Sequence, residues 1–189
     1  FGSQDWAYYL LSQMFIIFSF VTIFKLAKEF LQNETHALIS VFLLEGIYFY
    51  NFTTPEFNVN VCQIPFWTLT VYYSWQSFKN DKIYNWILLG LFAALGFLSK
   101  YLFIYLLISI MLFFIYYLKK DKKFNFKYFI PIIVFLLVLS PHLMWLVEND
   151  YKTITYGLKR TGLENSTLLN HFIYPIKFIF KQIGILLPF

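Results

Sequence analysis

Cys62 is the single cysteine in 189 residues, which excludes an internal disulfide and any metal site built on several thiolates. Charge is also scarce. Asp, Glu, Lys and Arg make up 13% of the chain, about half the usual globular share. There is no glycine-rich phosphate loop, no Ser-His-Asp arrangement and no nucleotide-binding pattern, so ATP-driven chemistry is not indicated. The net charge of +5 does not mark a nucleic-acid binder, because most lysines sit in short loops between apolar runs, where they set orientation. No soluble domain, internal repeat or low-complexity tract stands out.

Apolar surface is what the chain has in excess: 59% of residues are hydrophobic and 24% aromatic. A soluble domain cannot hide that much, so the expected fold is all-α, a polytopic transmembrane helical bundle. It is read as one membrane domain over residues 1–189, with about six or seven spans. The chain is organised around residues 86–118, almost wholly apolar with Lys100 near the middle. One helix of that length would rise about 50 Å at roughly 1.5 Å per residue, whereas the hydrocarbon core is about 30 Å thick. Two arms with a bend at 96–101 are therefore expected. Other spans are expected at 6–24, 37–50, 61–78 and 128–147, with a last one from His171.

The loops at 25–35, 79–85 and 119–127 hold nine lysines, which predicts that they are cytoplasmic. The loop 51–60, the Lys100 bend and the segment 148–170 then face outward. Candidate chemistry collects there. Glu56 has the chemistry to act as an acid, hold a cation or orient a hydroxyl, and Asn58 and Asn60 to hydrogen-bond a sugar or phosphate; the plainer reading is a solvated turn. The Lys100 ammonium suits a lipid-borne phosphate, and its plainer reading is a lysine snorkelling to water. His142, Glu148 and Asp150 end a span together; an aromatic belt before a charged loop is the plainer reading. Arg160 suits a bidentate clamp on a diphosphate or carboxylate, against a solvated basic turn. Glu45 lies within an expected span, where a carboxyl is a functional hypothesis by default. No metal motif is recognisable.

The order PEFNVNVCQIPFW, WILLGLFAALGFLSKY and SPHLMWLVENDYKTITYGLKR resembles bacterial family 39 glycosyltransferases of the dolichyl-phosphate-mannose-protein mannosyltransferase type. Those belong to the glycosyltransferase C superfamily. The resemblance implies a transferase in the bacterial inner membrane with its site facing the periplasm. It would take sugar from a polyprenyl-phosphate donor and pass it to a lipid, glycan or protein acceptor. Glu56 matches an acidic position of the second outward loop, and Lys100 the lysine of an L-T/S-K motif with Tyr101 beside it. The resemblance thus assigns Glu56 to acceptor or cation handling and Lys100 to donor phosphate. A divalent cation is the one cofactor it allows. It also implies that the chain is an internal piece cut at both ends, inactive alone, with the main catalytic carboxylate in an outward loop upstream. The competing reading is a transporter or flippase with Glu45, Lys100 and His142 along a path.

Overall fold

A computed structural model of the chain describes residues 4–121, 125–160 and 168–186. Among these residues every regular element is helical. Helix α1 runs Asp5–Ala27, α2 Glu34–Glu45, α3 Tyr48–Asn51, α4 Val59–Asn80 and α5 Ile83–Ser99. Then come α6 at Ile104–Asp121, α7 at Ile130–Glu148, α8 at Lys152–Arg160 and α9 at Leu168–Leu186.

The centre is α4, packed between α1 and α5, with α7 against the far side of α5. Small residues allow this. On α1, Ser12, Ile16 and Ser19 are buried; spaced four and three apart, they form one face. Met14, Ile17 and Val21 on the other faces are exposed, as suits lipid contact, because apolar matching gives no drive to bury them. The hydroxyls of Ser19 and Thr22 donate to the carbonyls of Phe15 and Phe18 at 2.8 and 2.9 Å, so the packed face leaves neither orphaned. On α5, Gly90 meets α7 so closely that a Cβ there would stand 2.5 Å from the Pro131 carbonyl oxygen.

The expected bend is present. α5 ends at Ser99, Lys100 is extended (φ −162°), and a single 3-10 turn, Tyr101–Phe103, starts the next arm. Phe103 is fully buried, and its ring fills the space beside Gly96.

The expected spans are met in part. Among the described residues three helices are long and apolar enough to cross a membrane, Asp5–Ala27, Tyr101–Lys119 and Phe126–Glu148, and Ile83–Ser99 is a shorter apolar helix. The run at 37–50 is interrupted: α2 stops after 12 residues, at Glu45. At 1.5 Å per residue it rises only about 18 Å. α4 is long enough, but it buries Gln63, Thr70, Ser74, Gln76 and Ser77. A helix enclosed by protein on two sides tolerates such a polar stripe, and hydropathy then under-reads it. α9 carries Asn170, Lys177 and Lys181 among its apolar residues.

Candidate functional site

The two ends of α4 define two polar regions. A helix of 22 residues separates them by about 33 Å.

At its first turn, Asn58 is the N-cap. Its Oδ1 accepts from the backbone N–H of Asn60 at 2.9 Å and of Val61 at 3.3 Å, and its Nδ2 donates to the Glu56 carbonyl at 3.1 Å. The side chain expected to meet a sugar is thus engaged in ordinary capping. The cap fixes Asn60, whose Oδ1 accepts from Lys100 Nζ at 2.7 Å. The preceding loop is tied to α1, where the Ser12 hydroxyl donates to the Thr54 carbonyl and the Phe15 and Phe57 rings meet edge-on at 5.1 Å. Glu56 itself is exposed.

Next to Lys100, the Tyr101 hydroxyl lies 2.6 Å from His142 Nε2 and 2.7 Å from Thr153 Oγ1. The His142 ring stacks on Trp145 at 5.9 Å and 13°. One phenol therefore joins the bend to α7 and α8. The α7–α8 connection makes this possible by turning sharply. Asp150 and Tyr151 are both left-handed, at φ 51° and 54°, and the Tyr151 N–H donates to the Leu146 carbonyl at 2.9 Å, as at a helix C-terminus of the Schellman kind. A left-handed tyrosine is strained, and this strained turn presents Thr153 to Tyr101. Sequence reading named Asn60 beside Asn58 but missed Thr153, which has no spacing cue because its contact depends on long-range folding.

Glu148, Asp150 and Arg160 are exposed, and among the described residues none of them, nor Glu56, forms an ion pair. Residues 161–167 of the same segment lie outside the described residues. Glu45, expected within a span, is instead exposed at the end of α2. Among the described residues no three His, Cys, Asp or Glu side chains converge as a metal site.

The other end is saturated with ion pairs. Glu29 accepts from Lys79 Nζ at 2.6 Å, Gln76 Nε2 at 3.0 Å and Trp75 Nε1 at 3.1 Å. The lysine bond first, then the indole and amide, hold its carboxyl below the usual range against the opposing effect of burial. Asp81 accepts from Lys127 Nζ at 2.6 Å and Trp86 Nε1 at 3.2 Å, and its carboxyl is likewise lowered, chiefly by Lys127. These bonds gather parts of the three lysine-rich loops at one end, as the lysine count groups them. Residues 122–124 of the third loop lie outside the described residues.

The Lys100 end can do different chemistry. An ammonium bonded to a neutral amide keeps its charge and two more N–H donors for a phosphate. Tyr101, the next residue in the chain, carries a phenol bonded to the His142 imidazole. Residues 1–145 match the family model described as dolichyl-phosphate-mannose-protein mannosyltransferase. That range takes in Glu56, Asn58, Lys100, Tyr101 and His142 and stops short of Glu148, Asp150, Thr153 and Arg160. No curated protein and no solved structure matches the chain. With more than half of its length matched and its apolar helices suited to a bilayer, the chain belongs to the dolichyl-phosphate-mannose-protein mannosyltransferase family of membrane glycosyltransferases.

Proposed function

We propose that the chain contributes the phosphate-gripping side of a sugar transferase that uses a polyprenyl-phosphate donor and works at the Lys100 end of the bundle. The observation that carries this is the Lys100 ammonium, bonded at 2.7 Å to the neutral Asn60 amide at a membrane-helix corner inside the matched range. A cation there stabilises the charge that develops on a departing polyprenyl phosphate. Sugar transfer is an inverting displacement at the anomeric carbon: the acceptor oxygen bonds to it as the bond to phosphate breaks. A carboxylate takes the acceptor proton, and Glu56 handles the acceptor or a divalent cation. Tyr101 and His142 border the donor, while Glu148, Asp150 and Arg160 bind substrate from the exposed rim. The acceptor is a lipid, glycan or protein. The lysine bias supports an outward orientation for this end, and the family resemblance supports a bacterial inner membrane.

The test is sugar transfer by the full-length protein in proteoliposomes containing polyprenyl-phosphate mannose, read by mass spectrometry of the products. Lys100→Ala and Glu56→Ala are each expected to lower turnover by about 100-fold or more. Wild-type turnover in both variants would remove the assignment. Sidedness is checked separately with an impermeant thiol reagent on Glu56→Cys in a Cys62→Ser background. Labelling only from the cytoplasmic side would reverse the topology.

A further inference from the structure

Helix α8 is held at the level where two membrane-suited helices end. Glu148 closes one of them and Tyr101 opens another. A helix running straight on from α7 would carry residues 152–160 away from the bundle. The left-handed pair Asp150 and Tyr151 breaks that axis. The 2.7 Å bond between Thr153 Oγ1 and the Tyr101 hydroxyl then holds α8 at this level.

Its residues, KTITYGLKR, are sorted by face. At about 100° per residue, Ile154 and Leu158 share one side, and Lys152, Tyr156 and Lys159 share the opposite one. Thr153, half-buried, turns toward the bundle between them. An apolar stripe on a surface helix ordinarily faces a protein core. This one stands open, with Ile154 39% and Leu158 52% exposed. The cationic side is open too: Lys152 and Lys159 are exposed, and among the described residues neither forms an ion pair. The helix itself carries no acid, since Glu148 and Asp150 precede it.

Depth and charge together name what covers α8. A helix with one apolar and one basic side, fixed where spans end, suits the interfacial plane of the bilayer, its apolar side against the acyl chains and its lysines among the headgroups. Uncompensated ammonium groups favour an anionic surface over a neutral one. We propose that α8 lies flat in the headgroup layer of the leaflet at the Lys100 end. Ile154 and Leu158 dip toward the acyl chains, and Lys152 and Lys159 hold anionic phospholipid headgroups. Lipid contact then keeps Thr153 within reach of Tyr101.

The experiment uses the full-length protein with one cysteine only, introduced as Ile154→Cys or Tyr156→Cys and labelled with a nitrobenzoxadiazole fluorophore. It is reconstituted in phosphatidylglycerol–phosphatidylcholine vesicles whose phosphatidylcholine carries bromine, a contact quencher, on its acyl chains. Strong quenching is expected at Ile154→Cys and little at Tyr156→Cys. In brominated phosphatidylcholine alone, the ratio of quenched to unquenched label at Ile154→Cys should fall about tenfold. Adding Lys152→Gln and Lys159→Gln should lower it as far in the mixed vesicles. Equal quenching at both positions would mean a helix sunk in hydrocarbon and would overturn the proposal. So would an unquenched Ile154→Cys, whether the stripe faces water or another protein segment. Quenching that ignores phosphatidylglycerol or the two lysines would overturn it as well. The readout needs neither donor nor sugar transfer, so its failure leaves the proposed activity standing and the reverse also holds.

Discussion

The two ends of α4 treat their lysines differently. At the Glu29 end, Lys79 pairs with Glu29 and Lys127 with Asp81, each at 2.6 Å. Lys28 pairs with Glu34 in the same region. At the other end, among the described residues Lys100 bonds a neutral amide at 2.7 Å and forms no ion pair, while Glu56 and Arg160 stand exposed. Charge that is already neutralised holds loops together. Charge left uncompensated is available to a ligand. The first arrangement serves stability, and the second gives up some of it for binding.

The comparison breaks if the same substitution has the same effect at both ends. Lys100→Met is expected to lower sugar transfer by about 100-fold or more while thermal unfolding in detergent shifts little. Lys79→Met should do the opposite. It leaves Glu29 short of its strongest partner, and since the Lys79 side chain is 50% exposed, the cost is about 1 kcal/mol after solvent screening. Transfer should stay near wild type. Equal loss of transfer in the two variants would show that Lys100 acts through the fold.

Gly90→Ala sharpens the contrast from the packing side. The added methyl would press on Pro131 backbone, which cannot swing aside as a side chain can. A destabilisation of about 1–3 kcal/mol is expected, read as a lowered melting temperature. Since α5 also carries the Lys100 corner, turnover should fall with stability. A variant as stable as wild type would mean that α5 and α7 are not held at this spacing.

Much of this was legible in the sequence. The apolar excess gave the helical membrane class, and the length of residues 86–118 against bilayer thickness gave the bend, found at Lys100. The lysine count correctly grouped the loops that Glu29 and Asp81 now join. The span count was not legible, because hydropathy cannot tell a helix facing lipid from one enclosed by protein. α4 buries glutamines and hydroxyls that a lipid-facing helix would not carry, and α2 stops at Glu45 although apolar residues continue beyond it. At the site, Lys100 and His142 stood out as charged or titratable groups in apolar surroundings. Asn60 was named as a hydrogen-bonding side chain, but its pairing with Lys100 across 40 residues was not legible, and Thr153 was not seen at all because its bond to Tyr101 spans 52 residues.

Tyr101→Phe tests whether the Lys100 end is organised or merely polar. It removes one oxygen shared by His142 and Thr153 and keeps the ring beside Phe97. Turnover is expected to fall about tenfold, with the KM for donor rising more than kcat falls, because α8 loses its tether. Unchanged kinetics would mean that the tether does not position anything the donor touches.

The smallest effect is expected at the paired end, and its pH dependence carries the sign. Lys127 holds the Asp81 carboxyl below its ordinary value, which is about 3.9. A carboxyl lowered in the folded state stabilises the fold above its unfolded pKa, and that contribution fades as pH falls through the folded one. Asp81→Asn keeps a residue that tolerates the left-handed backbone at φ 45° and removes the charge together with one of the two acceptor oxygens. At neutral pH the variant should be less stable by about 0.5 kcal/mol, the scale of a half-exposed pair. Below about pH 4 the gap between variant and wild type should close. A gap that widens in acid would mean that Asp81 is not held by Lys127, and the paired end would then be no better neutralised than the end that carries Lys100.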